Sequence, residues 1–383
     1  MSTIFSAFGM MGETVALGWI ALELTDSSFM VGLVMGARMI PQFLLGIPAG
    51  AVVDMADRRL FIPLINIASA VPSSILGLVL MFELEQFWHV VALAIVAGSL
   101  APFQQTARQS YAYDIVGPAM AVQGLATMML ASRLGGLIGA VVAGSVIARM
   151  GSGMAFFLIA GSQIMAGLIV TLVRSSGQAA PSVRESVLAN LKGYMREIRR
   201  NYTLQQLMFF TGAVEMLGFS HQTLLPSLAR DVMRVGAEGL GFMSGVQSVG
   251  GIIGVAVLAA LGGIRRKGMA FLIVIHVFGG ALVLLAYAPS LTVVILVLAV
   301  ISASAALSDV LSQSLMQLNV PNELRGRAMG SWVLAIGTAP VGHMQIGGLA
   351  TLVGVASALI FNGVGLVVLA ATTTLFSARL RRL

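Results

Sequence analysis

Eight ionisable side chains stand inside long apolar runs of this sequence: Glu13, Arg38, Arg133, Glu215, His221, His276, Asp309 and His343. In hydrocarbon a charge near the centre of a helix costs about 2.5–3.5 kcal/mol, so each of these groups needs a partner or a task. Glu13, Glu215 and Asp309 are three acids against two arginines, which leaves one carboxylate without an obvious counter-ion. A carboxylate held away from water can take up and release a proton near neutrality, the chemistry that couples a process to a proton gradient. A second reading stays open beside it, in which Glu13 with Arg38, or Asp309 with Arg133, are buried ion pairs that fix helix packing. For the arginines, structural pairing and contact with a solute are both open, and His221 and His343 are either hydrogen-bonded core residues or proton relays. Gln104, Gln105, Gln247, Gln313 and Gln317 suit the wall of a solute cavity and suit helix-to-helix bonds equally well.

The elements that must hold these groups are membrane helices. The 383 residues are 58% hydrophobic and 10% charged, more apolar surface than a soluble core of this size can hide. Runs of about 20 apolar residues, the length that crosses the bilayer core, fall near 3–24, 29–53, 60–82, 88–108, 121–148 and 153–174. A second set falls near 205–228, 239–264, 269–288, 291–317, 328–351 and 354–377. They are too long and too uniformly apolar for barrel strands, so the spans are helical. The first run begins almost at Met1 with no basic residue before Arg38, so Thr3 to Leu24 reads as a retained helix rather than a signal peptide.

The net charge of +7 serves topology and not nucleic acid. Of the 22 Lys and Arg, Arg149, Arg230 and Arg234 lie in loops on one side, Arg38 and Arg133 lie within spans, and all the rest lie on the other side. The positive-inside rule therefore puts both termini in the cytoplasm. The polar interval from Ser175 to Tyr202 divides the spans six and six, and Val187, Leu188, Leu191, Met195 and Ile198 recur there at helical spacing beneath basic residues. That pattern predicts an amphipathic helix on the inner membrane surface, with a plain solvated linker as the alternative. An internal repeat relates the halves: Gly32, Gly36 and Arg38 match Gly241, Gly245 and Gln247, and Gln109, Ser110 and Val116 match Gln313, Ser314 and Val320. The absence of cysteine excludes disulfide and thiolate chemistry, and no Walker-type, His-Glu-x-x-His or Gly-x-Ser-x-Gly sequence occurs.

The segment Gly46 to Arg59, GIPAGAVVDMADRR, joins the second and third runs. Its glycines suit close helix approach, and its acids and paired arginines suit a tight turn on the cytoplasmic side. With this loop, Pro41, the run Gly239 to Gly254, the stretch from Leu188 to Pro226 and the segment Pro321 to Gly330, the chain resembles the major facilitator superfamily, and more closely its branch of multidrug, macrolide and siderophore exporters. The loop signature is matched at Gly50, Asp54, Arg58 and Arg59, while Met55 replaces the usual basic residue and Asp57 the usual glycine. The fifth span has Gly135, Gly136, Gly139 and Gly144 but lacks the proline of the branch's antiporter motif.

The resemblance implies an all-α polytopic membrane protein with the major facilitator fold: twelve transmembrane helices in two pseudo-symmetric six-helix bundles, residues 1–174 and 204–383, around a linker at 175–203. In that fold spans one, four, seven and ten line the cavity. This makes Glu13, Glu215 and Asp309 the proton-coupling candidates, Arg38, Gln105, Arg133, His221 and Gln313 the substrate-cavity candidates, and Gly50, Asp54, Arg58 and Arg59 a cytoplasmic gate. The implied function is secondary active transport without enzyme activity, cofactor, metal or nucleic acid: proton-coupled efflux of amphipathic small molecules by a monomer in the plasma (inner) membrane bilayer. A metabolite importer or facilitator of the same fold, or a non-transporting receptor or scaffold, are the alternatives.

Overall fold

The computed structural model describes residues 1–117, 120–173, 201–260, 266–320, 332–376 and 381, and these are helical with no strand among them. The first six helices are α1 (Ser2–Thr25), α2 (Ser28–Met55), α3 (Arg58–Met81), α4 (Phe87–Val116), α5 (Ala121–Met150) and α6 (Ser152–Thr171). The next six are α7 (Tyr202–Leu217, continued by irregular turns to Val232), α8 (Gly236–Ala260), α9 (Lys267–Ala286), α10 (Leu291–Leu318), α11 (Ala339–Val353) and α12 (Val355–Phe376). Eleven of these have the length and apolarity of membrane spans. The twelfth, α7, falls short because its helix is interrupted: α to Leu217, 3₁₀ over Phe219–Leu224, one α turn at Leu225–Ser227 and a π turn at Leu228–Val232.

Two compact units are drawn from within Met1–Arg184 with Pro226–Ser248, and from within Glu185–Leu225 with Val249–Leu383. The end of the seventh span and the start of the eighth, Pro226–Ser248, group with the first unit. The linker at 175–200 and Pro321 to Gly330 lie outside the described residues.

Small residues set how the helices meet. Without a hydrophobic drive in lipid, helices associate by close packing, and glycine lets two backbones touch. In the first unit a Cβ on Gly98 of α4 would fall on the carbonyl of Arg38 in α2, and one on Gly139 of α5 would fall on the carbonyl of Phe8 in α1. The α3–α6 pair crosses where a Cβ on Gly77 would lie 3.1 Å from the Gly153 carbonyl. The second unit pairs its helices in the same order. A Cβ on Gly342 of α11 would lie 2.6 Å from the Met216 carbonyl of α7, one on Gly254 of α8 2.5 Å from the Ala303 carbonyl of α10, and one on Gly279 of α9 2.6 Å from the Gly363 carbonyl of α12. First with fifth, second with fourth and third with sixth therefore recur in both halves, the packing counterpart of the sequence repeat. At Gly46 and Gly50 the outcome differs from the expectation of close approach, since a Cβ there would meet nothing within 4 Å.

The helices of the first unit alternate between an end that carries Met1 and the α2–α3 turn, here the terminal end, and a far end that carries Asp26, Met150 and Gly236. Gly151 and Gly354, with φ of 85° and 86°, close α5 and α11 in a conformation that side chains resist. The glycine contacts predict that Gly98→Ala, by forcing α4 off α2, lowers the stability of the detergent-solubilised protein by about 1–3 kcal/mol. Gly161→Ala, where a Cβ meets nothing within 4 Å, should change it by less than about 0.5 kcal/mol. Thermal unfolding of both variants checks this.

Candidate functional site

In the first unit Glu13 and Arg38 meet. The Arg38 Nη2 lies 3.3 Å from Glu13 Oε2, and both side chains are 11% exposed. Arg38 Nη1 donates to Thr14 Oγ1 at 2.6 Å, one residue along α1 from the acid. The Gly98 contact holds the Arg38 backbone hard against α4, so the guanidinium is aimed at α1 by packing. Two charges in hydrocarbon thus become one neutral pair, which lowers the cost of burying either.

The glutamines divide. Gln104 is 3% exposed, and its amide donates to Ser69 Oγ at 2.7 Å and to Gln163 Oε1 at 3.4 Å. It ties α4 to α3 and α6. Its neighbour Gln105 is exposed on the opposite side of α4, while Gln313 and Gln247 are half-buried. Arg133 on α5 is partly buried.

At the terminal end the α2–α3 turn is a charge cluster. Arg58 is 5% exposed and forks onto Asp114 at the end of α4, with Nη1 2.9 and 2.7 Å from the two carboxylate oxygens. Its Nη2 donates to Asp54 Oδ1 at 3.1 Å. One arginine therefore ties α2, α3 and α4 together through two acids, of which Asp114 is the better shielded. Tyr111, Val53, Ile62, Ala107 and Val170 pack beneath it as a dry floor. Arg59 contributes its backbone: its N–H donates at 2.9 Å to the Asp57 carboxylate, which caps the start of α3. The acid that stands where a glycine is usual is thus a helix cap, and Met55 is 69% exposed. A cavity of about 530 Å³ lies beside the cluster, lined by Arg58, Gln109, Tyr113, Asp114, Leu125 and Met128 among others.

Asp114 was missed in the sequence because the apolar run ends near Arg108. The helix continues to Val116 and brings Gln109, Ser110 and Asp114 with it. Arg108 itself lies inside α4, with Nη1 buried and no hydrogen-bond partner among the described residues. The signal available was periodic: Tyr111 and Asp114 continue the face of Gln104 and Ala107 at helical spacing.

The far end of the first unit is held by a second set of polar contacts, also unread in the sequence. Arg230 reaches Asp26 at 2.8 Å, the Leu22 carbonyl at 3.2 Å and Asp231 at 2.7 Å. Ser28 and Ser227 share a buried bond of 2.7 Å. Gly144 of α5 and Gly241 of α8 touch through their backbones, with an added Cβ 2.9 Å from the Gly241 nitrogen. Asp26 sits at φ 50°, just past the end of α1.

In the second unit Glu215 on α7 is 9% exposed and stands near enough to Asp309 on α10 for their charges to act on each other. Beyond it α7 breaks. His221 and His343 are 2% and 5% exposed, so both side chains face protein. Among the described residues no cluster of three or more His, Asp or Glu could hold a metal ion.

The family model described as "Transmembrane secretion effector" (MFS_3) matches residues 1–382. The multidrug efflux pump Tap of Mycolicibacterium fortuitum is 25% identical over 380 residues, covering 96% of this chain and 92% of that one. The enterobactin exporter EntS of Shigella boydii serotype 4 is 24% identical over 380 residues, covering 97% and 86%. Among solved structures, the nucleoside transporter NupG superposes with a TM-score of 0.76 at 15% identity over 98% of each chain. A bacterial homologue of the human lysosomal transporter Spinster, inward-facing and unoccupied, superposes with 0.73 at 15% identity over 99% and 96%. With its paired-helix repeat, its charged α2–α3 turn and a family match along essentially its whole length, this chain belongs to the MFS_3 family of major facilitator transporters.

Proposed function

We propose that the protein is a proton-coupled exporter of amphipathic small molecules that works as a monomer by alternating access in the plasma membrane, with its terminal end in the cytoplasm. The observation that carries the coupling is the Glu215–Asp309 pair: two acids on facing helices of one unit, inside membrane spans and within electrostatic reach. Two like charges there repel at low dielectric, so the pair is relieved when one of them holds a proton. Glu13 is the third acid in a span, and its partner Arg38 can hold the pair's charge while the acid exchanges its proton.

Export is supported by the names of Tap and EntS, which describe a multidrug pump and a siderophore exporter. The orientation rests on the basic surplus around Arg58 and Arg59 against the acidic far end, where Glu23, Asp26, Glu83 and Glu85 lie. The 23 methionines and 18 phenylalanines give an adaptable apolar lining for varied solutes. The Arg58 cluster at one end and the Arg230 contacts at the other are the two sets of polar bonds that an alternating cycle would break in turn.

Three outcomes test this reading. Everted vesicles carrying the protein should accumulate ethidium when acidified inside; Glu13→Gln or Asp309→Asn should lower that accumulation to the background of empty vesicles while membrane insertion is unchanged. Both variants pumping at the wild-type rate would sink the coupling assignment. At the gate, Asp114→Asn strands the buried Arg58 and should cost about 3–5 kcal/mol, whereas the half-exposed Asp54→Asn should cost less than about 1 kcal/mol and slow turnover without abolishing ethidium binding. Equal thermal destabilisation by the two would contradict the unequal roles.

A further inference from the structure

The break in α7 is lined by polar groups that the neighbouring helices of the second unit close around. Ser220 and Thr223 are fully buried within the 3₁₀ segment. Asn362 of α12 donates to Ser220 Oγ at 3.1 Å and accepts from Gln345 of α11, also at 3.1 Å. Thr223 Oγ1 and His343 Nδ1 share a bond of 2.7 Å. The break is thus a satisfied polar joint in a dry setting, apart from two acceptors, His221 Nε2 and Gln345 Oε1, which are buried with no partner among the described residues.

His221 has a defined protonation geometry. Its Nδ1 lies 2.7 Å from the Gly218 carbonyl, an oxygen that also accepts the His221 backbone N–H at 3.3 Å in the 3₁₀ turn. Two lone pairs cannot face each other at that distance, so Nδ1 carries the hydrogen and donates. The Nε2 lone pair is then the basic site, pointing into protein, with the edge-on Phe278 ring 6.2 Å from the imidazole at 83°. An unpartnered buried acceptor of this kind costs about 1–3 kcal/mol, a reason for evolution to remove it unless it has a use. Adding a proton to Nε2 converts the acceptor into a donor, leaves the Nδ1–Gly218 bond in place and strengthens it by charge. Gly218 holds the geometry, since a Cβ there would lie 2.8 Å from the Phe278 ring and 2.7 Å from the Val214 carbonyl.

We propose that His221, with His343 beside it, is a proton-binding site at the break in α7, where the second bundle holds one coupling proton. This deepens the proton-coupled reading and rests on it. The two imidazoles lie within electrostatic reach of each other, so the pair holds one proton and not two. The other titratable groups on the elements packed around it are Glu215 on α7, Asp309 on α10, and His276 on α9, whose Nδ1 bonds the Leu272 carbonyl at 2.8 Å. The proton adds to the Nε2 lone pair and leaves from the same atom; no other bond changes.

The chain has only four histidines, His89, His221, His276 and His343, so ring-nitrogen NMR of ¹⁵N-histidine-labelled protein in nanodiscs resolves them individually. The wild type should show one ring, absent from His221→Asn, that keeps its Nδ1 hydrogen throughout and gains a hydrogen on Nε2 as pH falls. A His221 ring that stays neutral at every pH where the protein is folded, or that carries its hydrogen on Nε2 at high pH, would overturn the proposal. Asparagine keeps a donor toward the Gly218 carbonyl while removing the basic nitrogen. His221→Asn in proteoliposomes should therefore lose at least tenfold of the acceleration of ethidium exchange by a pH gradient; full retention of that acceleration would overturn the coupling role. A wild type that exchanges ethidium with no response to the gradient would defeat the proton-coupled reading itself, and the ring titration would still decide whether His221 binds a proton.

Discussion

A charge placed in hydrocarbon must be neutralised within a few ångströms, and the arrangement of this protein's helices follows from meeting that demand. Arg38 reaches Glu13 because α2 and α4 touch backbone to backbone at Gly98, which fixes the direction in which the guanidinium projects. Arg58 is buried because α4 runs two turns beyond its most apolar stretch and delivers Asp114 to it. Where two acids stand within reach of each other, as Glu215 and Asp309 do, a proton on one of them relieves their repulsion. Structural pairing and proton exchange are thus the same constraint met in two ways.

The glycine contacts connect this chemistry to motion. Helices that touch through backbone have smooth, close surfaces and can shift as rigid pairs, whereas interlocked large side chains would resist. The same three pairings in each half give two units of similar construction, each assembled from helix pairs. Polar bonds are concentrated at the ends, in the Arg58 cluster and the Arg230 contacts, where water can replace them as they part. In the membrane interior the polar bonds are fewer, and one set of them surrounds the break in α7.

Most of the helical architecture is legible in the sequence because bilayer thickness imposes a length on apolar runs, and because basic residues gather in the loops of one side. Glu13 and Arg38 can be matched by depth alone. The misses share a cause, which is that hydropathy reports contact with lipid and not helix continuity. It ended the fourth span near Arg108, although α4 persists to Val116 by packing on α2 and α3, and so Asp114 went unread. It drew an unbroken seventh span across Gly218 and Pro226, where the backbone changes from α to 3₁₀ to π. Asp57 looked like a defect in the loop pattern, and only the position of its carboxylate against the Arg59 N–H shows a helix cap. Contacts such as Arg230 with Asp26 join residues far apart in the chain, and no local pattern announces them.

The central claim is that solute and proton move in opposite directions through the same molecule. Proteoliposomes containing the protein and a lumenal pH-sensitive dye, with no gradient imposed at the start, test it most directly when ethidium is added outside. The account predicts that the lumen becomes alkaline as ethidium enters, with a rate that scales with the amount of protein. Entry of ethidium at the same protein-dependent rate with a constant lumenal pH would contradict it.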